Sequence, residues 1–111
     1  MVSIKDNVIT ITRGDTLETT VTIALQSGEP YVPAEGDRIR FALKSAYRDD
    51  EPLIVKAIPN DTMILRLEAE DTKLLTARRN PYVYDVEITT PDGTVDTFIA
   101  NGNFYVLEEV D

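Results

Sequence analysis

PYVYDVEITTPDGTVDTFI, residues 81–99, decides how this chain is read. Two runs of alternating residues flank Pro91-Asp92-Gly93, and that is hairpin chemistry. Proline presets φ near −65° at the first turn position, aspartate bonds back to its own backbone, and glycine takes the left-handed conformation that closes a three-residue loop. With Pro91, Asp92 and Gly93 as the loop, Thr90 faces Thr94 and Val86 faces Phe98, so Tyr84, Val86, Phe98 and Ala100 share a face. A two-residue loop would instead set Val86 opposite Ile99 and turn the partner strand over. The fixed φ of Pro91 favours the first register, in which Asp96 opposite Ile88 is the weak point.

Upstream, the same period of two recurs in short runs. Val2 to Thr12 places an Asp6-Asn7 turn between a short strand and a firmer one, together an edge element. Leu17, Thr19, Val21, Ile23 and Leu25 fall on one face of the clearest half-buried strand. Residues 26–37, with two prolines and two glycines, read as loop, with Tyr31 and Val32 folding back onto the core rim. Arg38 to Lys44 alternates Ile39, Phe41 and Leu43 inward with Arg38, Arg40 and Lys44 outward, a basic outer face in an acidic protein. Leu53–Ile58 and Met63–Glu68, separated by Pro59-Asn60-Asp61, read as a second hairpin. Residues 69–77, AEDTKLLTA, carry the one helical bias, limited to a turn or two near 69–76. Asn101-Gly102-Asn103 then interrupts the chain before a last strand, Phe104–Leu107. Seven to nine short strands with almost no helix make an all-β antiparallel sandwich of one domain, residues 1–111, with an open barrel as the competing architecture.

Composition excludes more than it proposes. There is no cysteine, hence no disulfide framework and no thiolate site, and no histidine, hence no ordinary general base near neutral pH and no common zinc ligand. Neither GxGxxG nor GxxxxGK[ST] is present. Asp49-Asp50-Glu51 lacks the spaced ligands and glycine turn of a calcium loop. The expectation is therefore a non-enzyme without cofactor or metal. A net charge of −9 repels a phosphate backbone, so nucleic acid is not expected as a partner. No apolar run approaches the ~18 residues of a membrane span and no signal peptide precedes the first strand, so neither membrane insertion nor export is expected. Arg13-Gly14-Asp15 matches a tripeptide that adhesion receptors read, but Gly14 and Asp15 read more simply as a tight turn between strands. Tyr82 and Tyr84 alternate inward as core residues, leaving Tyr31, Tyr47 and Tyr105 as the candidate interaction surface.

Four segments taken in order, ITRGDTLETTVTI (11–23), GDRIRFALK (36–44), LEAEDTKLL (67–75) and YVYDVEITTPDGTVDTF (82–98), resemble a family of small proteins of phages and prophages of Gram-positive bacteria. They look like the N-terminal domain of upper-baseplate-type tail proteins. The shared order is a GDT turn (Gly14, Asp15, Thr16), an R-F strand (Arg40, Phe41), an AEDT corner (Ala69, Glu70, Asp71, Thr72) and a hairpin carrying Tyr84, Thr89, Pro91, Asp92, Gly93, Val95, Thr97 and Phe98. The resemblance implies an immunoglobulin-like β-sandwich and a structural place in the tail or baseplate of a virion, assembled in the bacterial cytoplasm. Its expected partners are other tail or baseplate proteins or further copies of itself, with no small-molecule ligand. AEDT is also similar to the corner of immunoglobulin domains. The chain ends at Asp111, with no coiled-coil or receptor-binding region, so host-receptor binding is not implied. The alternative is a carbohydrate- or cell-wall-binding module that uses the three tyrosines.

Overall fold

The computed structural model describes residues 2–5, 7–24, 29–46, 48 and 51–108, with the backbone alone for 2–5, 23–24, 30 and 98–101. Tyr47, Asp49 and Asp50 lie outside the described residues, as do Leu25 and the side chain of Phe98. The strands are β1 (Val2–Lys5), β2 (Val8–Thr12), β3 (Leu17–Thr20), β4 (Ile23–Ala24), β5 (Pro30–Tyr31), β6 (Arg38–Lys44), β7 (Ile54–Ile58), β8 (Ile64–Leu67), β9 (Tyr82–Thr89) and β10 (Val95–Leu107). The single described helix is α1 (Ala69–Lys73). Eight of the described strands have four residues or more, within the expected range.

A six-stranded sheet runs β1-β2-β10-β9-β6-β7, and β3 pairs with β8 across the core from it. Ile9, Ile11, Ile39, Phe41, Leu43, Tyr84, Val86, Phe104 and Val106 from the first sheet meet Leu17, Leu65 and Leu67 from the second. Each fully buried side chain of this size contributes roughly 1.5–3 kcal/mol. The neighbours β10-β9-β6-β7 and the separate pair β3-β8 reproduce strands G-F-C-C′ and B-E of an immunoglobulin-like sandwich. A tyrosine corner confirms the wiring: the Tyr82 hydroxyl accepts from Thr76 N at 2.9 Å and donates to Thr76 O at 3.1 Å, just before β9.

Several expectations are corrected. The sheet is not wholly antiparallel, because β2 runs parallel to β10, with Ile9 opposite Phe104. The run from Leu17 breaks at Val21–Thr22, where Val21 N turns to the Met63 carbonyl at 2.7 Å. The loop after it holds the short strand β5, paired with β4. β7 and β8 are not a hairpin: β7 joins β6 and β8 joins β3, because the chain crosses between sheets at Pro59–Met63, with Met63 in the left-handed region (φ 56°). Asn101-Gly102-Asn103 does not end a strand but lies within β10.

The hairpin keeps the expected three-residue loop and then departs from it. Val95 pairs with Thr89, Asp96 with Ile88 and Thr97 with Glu87, as the loop dictates. Beyond Thr97 the register shifts, Val86 pairs with Ile99 rather than Phe98, and a second shift sets Gly102 opposite Tyr84. Such bulges bend a strand and increase its twist. β10 needs both, since it follows β9 on one side and runs parallel to β2 on the other. Asp96 is tolerated opposite Ile88 because residues 91–97 are all exposed at the hairpin's tip.

Candidate interaction surface

The motif residues converge on a structural joint. Thr72 of α1 is fully buried; its hydroxyl accepts from Gly14 N at 3.0 Å and donates to Asp15 O at 2.9 Å. The GDT turn and the AEDT corner are thus tied together across the sandwich. Arg13 completes the joint, donating through Nε to Leu75 O at 2.9 Å and through Nη2 to Lys73 O at 2.8 Å, where a helix end leaves carbonyls unpaired. The Arg13-Gly14-Asp15 tripeptide is a turn, closed by Asp15 N on Thr12 O at 3.0 Å, with its arginine held by the chain's own carbonyls.

At the hairpin, Gly93 sits at φ 91°, and its N–H donates to Thr90 O at 2.9 Å. The Asp92 carboxylate accepts from the Thr90 hydroxyl and from Thr94 N. Those bonds, Thr90 first, hold its pKa at about 2. Pro91, Asp92 and Gly93 are therefore a self-contained turn, and Val86 is core at 1% exposure.

The three tyrosines do not form one surface. Tyr31 packs partly against the core and donates to Asp37 Oδ2 at 2.7 Å, a bond that raises the pKa of its phenol. Asp37 is buried, also accepts Ala34 N at 2.8 Å, and so organises the loop before β6. Val32, expected beside Tyr31 on the core rim, is instead 80% exposed, since the loop is held by Asp37 and not by Val32. Tyr105 is half-buried on the outer face of the six-stranded sheet, opposite Thr10. Tyr84 lies across Gly102 and donates to Asn7 O at 2.9 Å, and burial pushes its pKa up to about 12. The Arg78 guanidinium stands 3.7 Å over the Tyr82 ring and donates to Ser45 O at 2.7 Å and Pro81 O at 3.2 Å, a cation–π contact within the fold.

The basic outer face expected of β6 is flanked by β9 and β7, neighbours the sequence did not single out. Arg38, Arg40 and Lys44 alternate along β6 as expected, and Arg40 pairs with Glu87 of β9 at 3.1 Å. Val55 and Ala57 of β7 are exposed beside them. Asp85, in register with Ala42, has one carboxylate oxygen buried with no hydrogen-bond partner among the described residues. The signal was present in the period-two pattern of RIRFALK, but which strand lay beside β6 was not. Among the described residues, no three His, Cys, Asp or Glu side chains are grouped to hold a metal ion, and no helix is long and apolar enough to cross a membrane. No family model matches this chain, and neither a curated protein nor a solved structure matches it.

Proposed function

We propose that this chain is a non-enzymatic structural or assembly protein of a phage or prophage tail, associated with the baseplate and acting by protein–protein contact. The observation that supports this reading best is where the reactive side chains go. Arg13, Asp37, Thr72 and Arg78 are each engaged by backbone of the chain itself, so the residues that could carry chemistry hold a scaffold together. What such a scaffold offers outward is sheet surface. The motif order that resembles upper-baseplate proteins adds the assembly in which that surface works, and the contact of Thr72 with Gly14 and Asp15 gives two of its four motifs a shared structural purpose. The reading places the protein in the virion tail after synthesis in the bacterial cytoplasm, with tail proteins as partners and neither nucleic acid nor membrane.

The carbohydrate-binding alternative draws on Tyr31, Tyr47 and Tyr105. Tyr31 has its hydroxyl engaged by Asp37, and Tyr105 is half-buried, so neither presents the open aromatic platform such modules use. Co-expression with the neighbouring tail proteins tests the proposal. Stable association, with defective particles on deletion, is the expected result. Normal particles and no association would reject it, and retention on purified cell walls would favour the alternative.

A further inference from the structure

Resting on the protein-contact reading, we infer that one partner is a second copy of this chain, docked antiparallel along the open edge of β7 about a two-fold axis through Val55. β7 lies at one end of the six-stranded sheet, so its outer side meets no strand among the described residues. Such an edge presents unpaired N–H and C=O groups, and proteins ordinarily blunt it with a proline, a bulge or an outward lysine. Within Ile54–Ile58, β7 has none of these. No proline interrupts it, its register with β6 is unbroken, and its one charged residue, Lys56, is held by Asp71 at 3.0 Å. What this edge exposes is apolar: Leu53 at 51%, Val55 at 46%, and Ala57.

The order of residues along the edge selects its own copy. With Val55 on the two-fold axis, position 55 meets 55, position 57 meets 53 and position 54 meets 56 of the other copy. The small Ala57 then stands opposite the larger Leu53 on both sides of the axis, and each Lys56 stands across from Ile54. An axis through Lys56 would instead set two ammonium groups face to face, and like charges directly opposite on paired strands are destabilising. Lys56 thus fixes the register. Charge also permits the contact. The cleft of about 510 Å³ beside the edge, over β6, β7 and β9, carries Asp37 and Glu87 against Arg38 and Arg40, with Arg40 bonded to Glu87 at 3.1 Å. That balance selects neither an acidic nor a basic partner and does not repel a copy of itself. The acids behind the overall −9 act at a distance, and salt screens them over about 8 Å at physiological ionic strength. Pairing of this kind would join two six-stranded sheets into one continuous sheet, with the same patch used by both copies.

Sedimentation velocity of the full chain over a concentration series, with oxidative crosslinking of single-cysteine variants, tests the pairing. The chain has no cysteine of its own, so each crosslink reports one pair of positions. Opposite residues on antiparallel strands lie about 4.5–5.5 Å apart between Cα atoms, within reach of a disulfide. A monomer–dimer equilibrium is expected, weakened by roughly tenfold or more in Val55→Lys and unchanged in Val95→Lys, an exposed valine beside the hairpin loop. Val55→Cys should crosslink to itself, and Leu53→Cys should crosslink to Ala57→Cys only when the two are mixed. A monomer at every concentration, or a dimer indifferent to Val55→Lys, would overturn the inference. Open-ended oligomers would give β7 a different strand as its mate, and association only after a tail protein is added would give the edge to that protein; either overturns the copy. A strict monomer that still assembles into tails would sink the dimer and leave the assembly reading standing. A crosslinked dimer absent from tails would do the opposite.

Discussion

Thr72 shows how much one hydroxyl can hold. It sits at zero exposure between Gly14 N and Asp15 O, so Thr72→Val keeps the shape and removes both hydrogen bonds beside the core. The cost is about 1–3 kcal/mol, read as a lower urea midpoint with an unchanged slope. Asp85 is the opposite case. One of its oxygens is buried without a partner among the described residues, so Asp85→Ala removes a penalty rather than a bond, and stability holds or rises by about 1 kcal/mol. A loss of that size in the same urea titration would mean that the carboxylate is bonded after all. The sequence showed both residues, but neither role. Thr72 stood within a legible AEDT corner, yet its partner lies 58 residues away in sequence, and no local pattern reports such a contact.

At the scale of the element, the hairpin was legible where its chemistry is local and illegible where it is not. The loop followed from Pro91, Asp92 and Gly93, whereas the shift to Val86–Ile99 arises because β10 also runs beside β2. Gly93 and Gly102 separate the two kinds of constraint. Gly93 has open space but φ 91°, so Gly93→Ala costs about 1 kcal/mol of backbone strain. Gly102 has no room, since a Cβ there would meet the Tyr84 ring, and Gly102→Ala costs more, about 1–3 kcal/mol with visible displacement of Tyr84. Thermal melts of the two variants rank them. The loop also has an acid signature. A free aspartate titrates near ~3.9, and the Thr90 and Thr94 donors hold Asp92 at about 2. Its contribution is therefore complete above ~3.9 and is lost as pH falls through about 2. Carbon-detected NMR should find Asp92 ionised at pH 3, and Thr90→Ala should return it toward the ordinary value. The same locality explains why β6 was bounded correctly while β7 was assigned the wrong partner: alternation marks a strand, and only the crossing at Pro59–Met63 decides its sheet.

For the whole molecule, the sandwich was legible because short alternating runs without helix leave few other ways to bury apolar faces. The parallel placement of β2 and the outer cleft were not, since both depend on which strands become neighbours. Tyr84 reports on closure of the entire fold, because it lies on β9 across Gly102 of β10 and reaches Asn7 at the turn before β2. Burial pushes its phenol up to about 12, so the folded state favours the neutral form. Its contribution is intact below the ~10 of an unfolded tyrosine and is lost as pH rises toward about 12. Alkaline unfolding followed by circular dichroism should fall in that window, and Tyr84→Phe should flatten the pH dependence while lowering stability at neutral pH through loss of the bond to Asn7. Arg13, Asp37, Thr72 and Arg78 hold the shape of the fold, and the proposed place in a tail assembly rests on that. Quantitative mass spectrometry of gradient-purified tail particles tests that claim most directly. The chain is expected at a fixed stoichiometry to the tail proteins; its absence from particles that are complete and infective without it would exclude it from the tail.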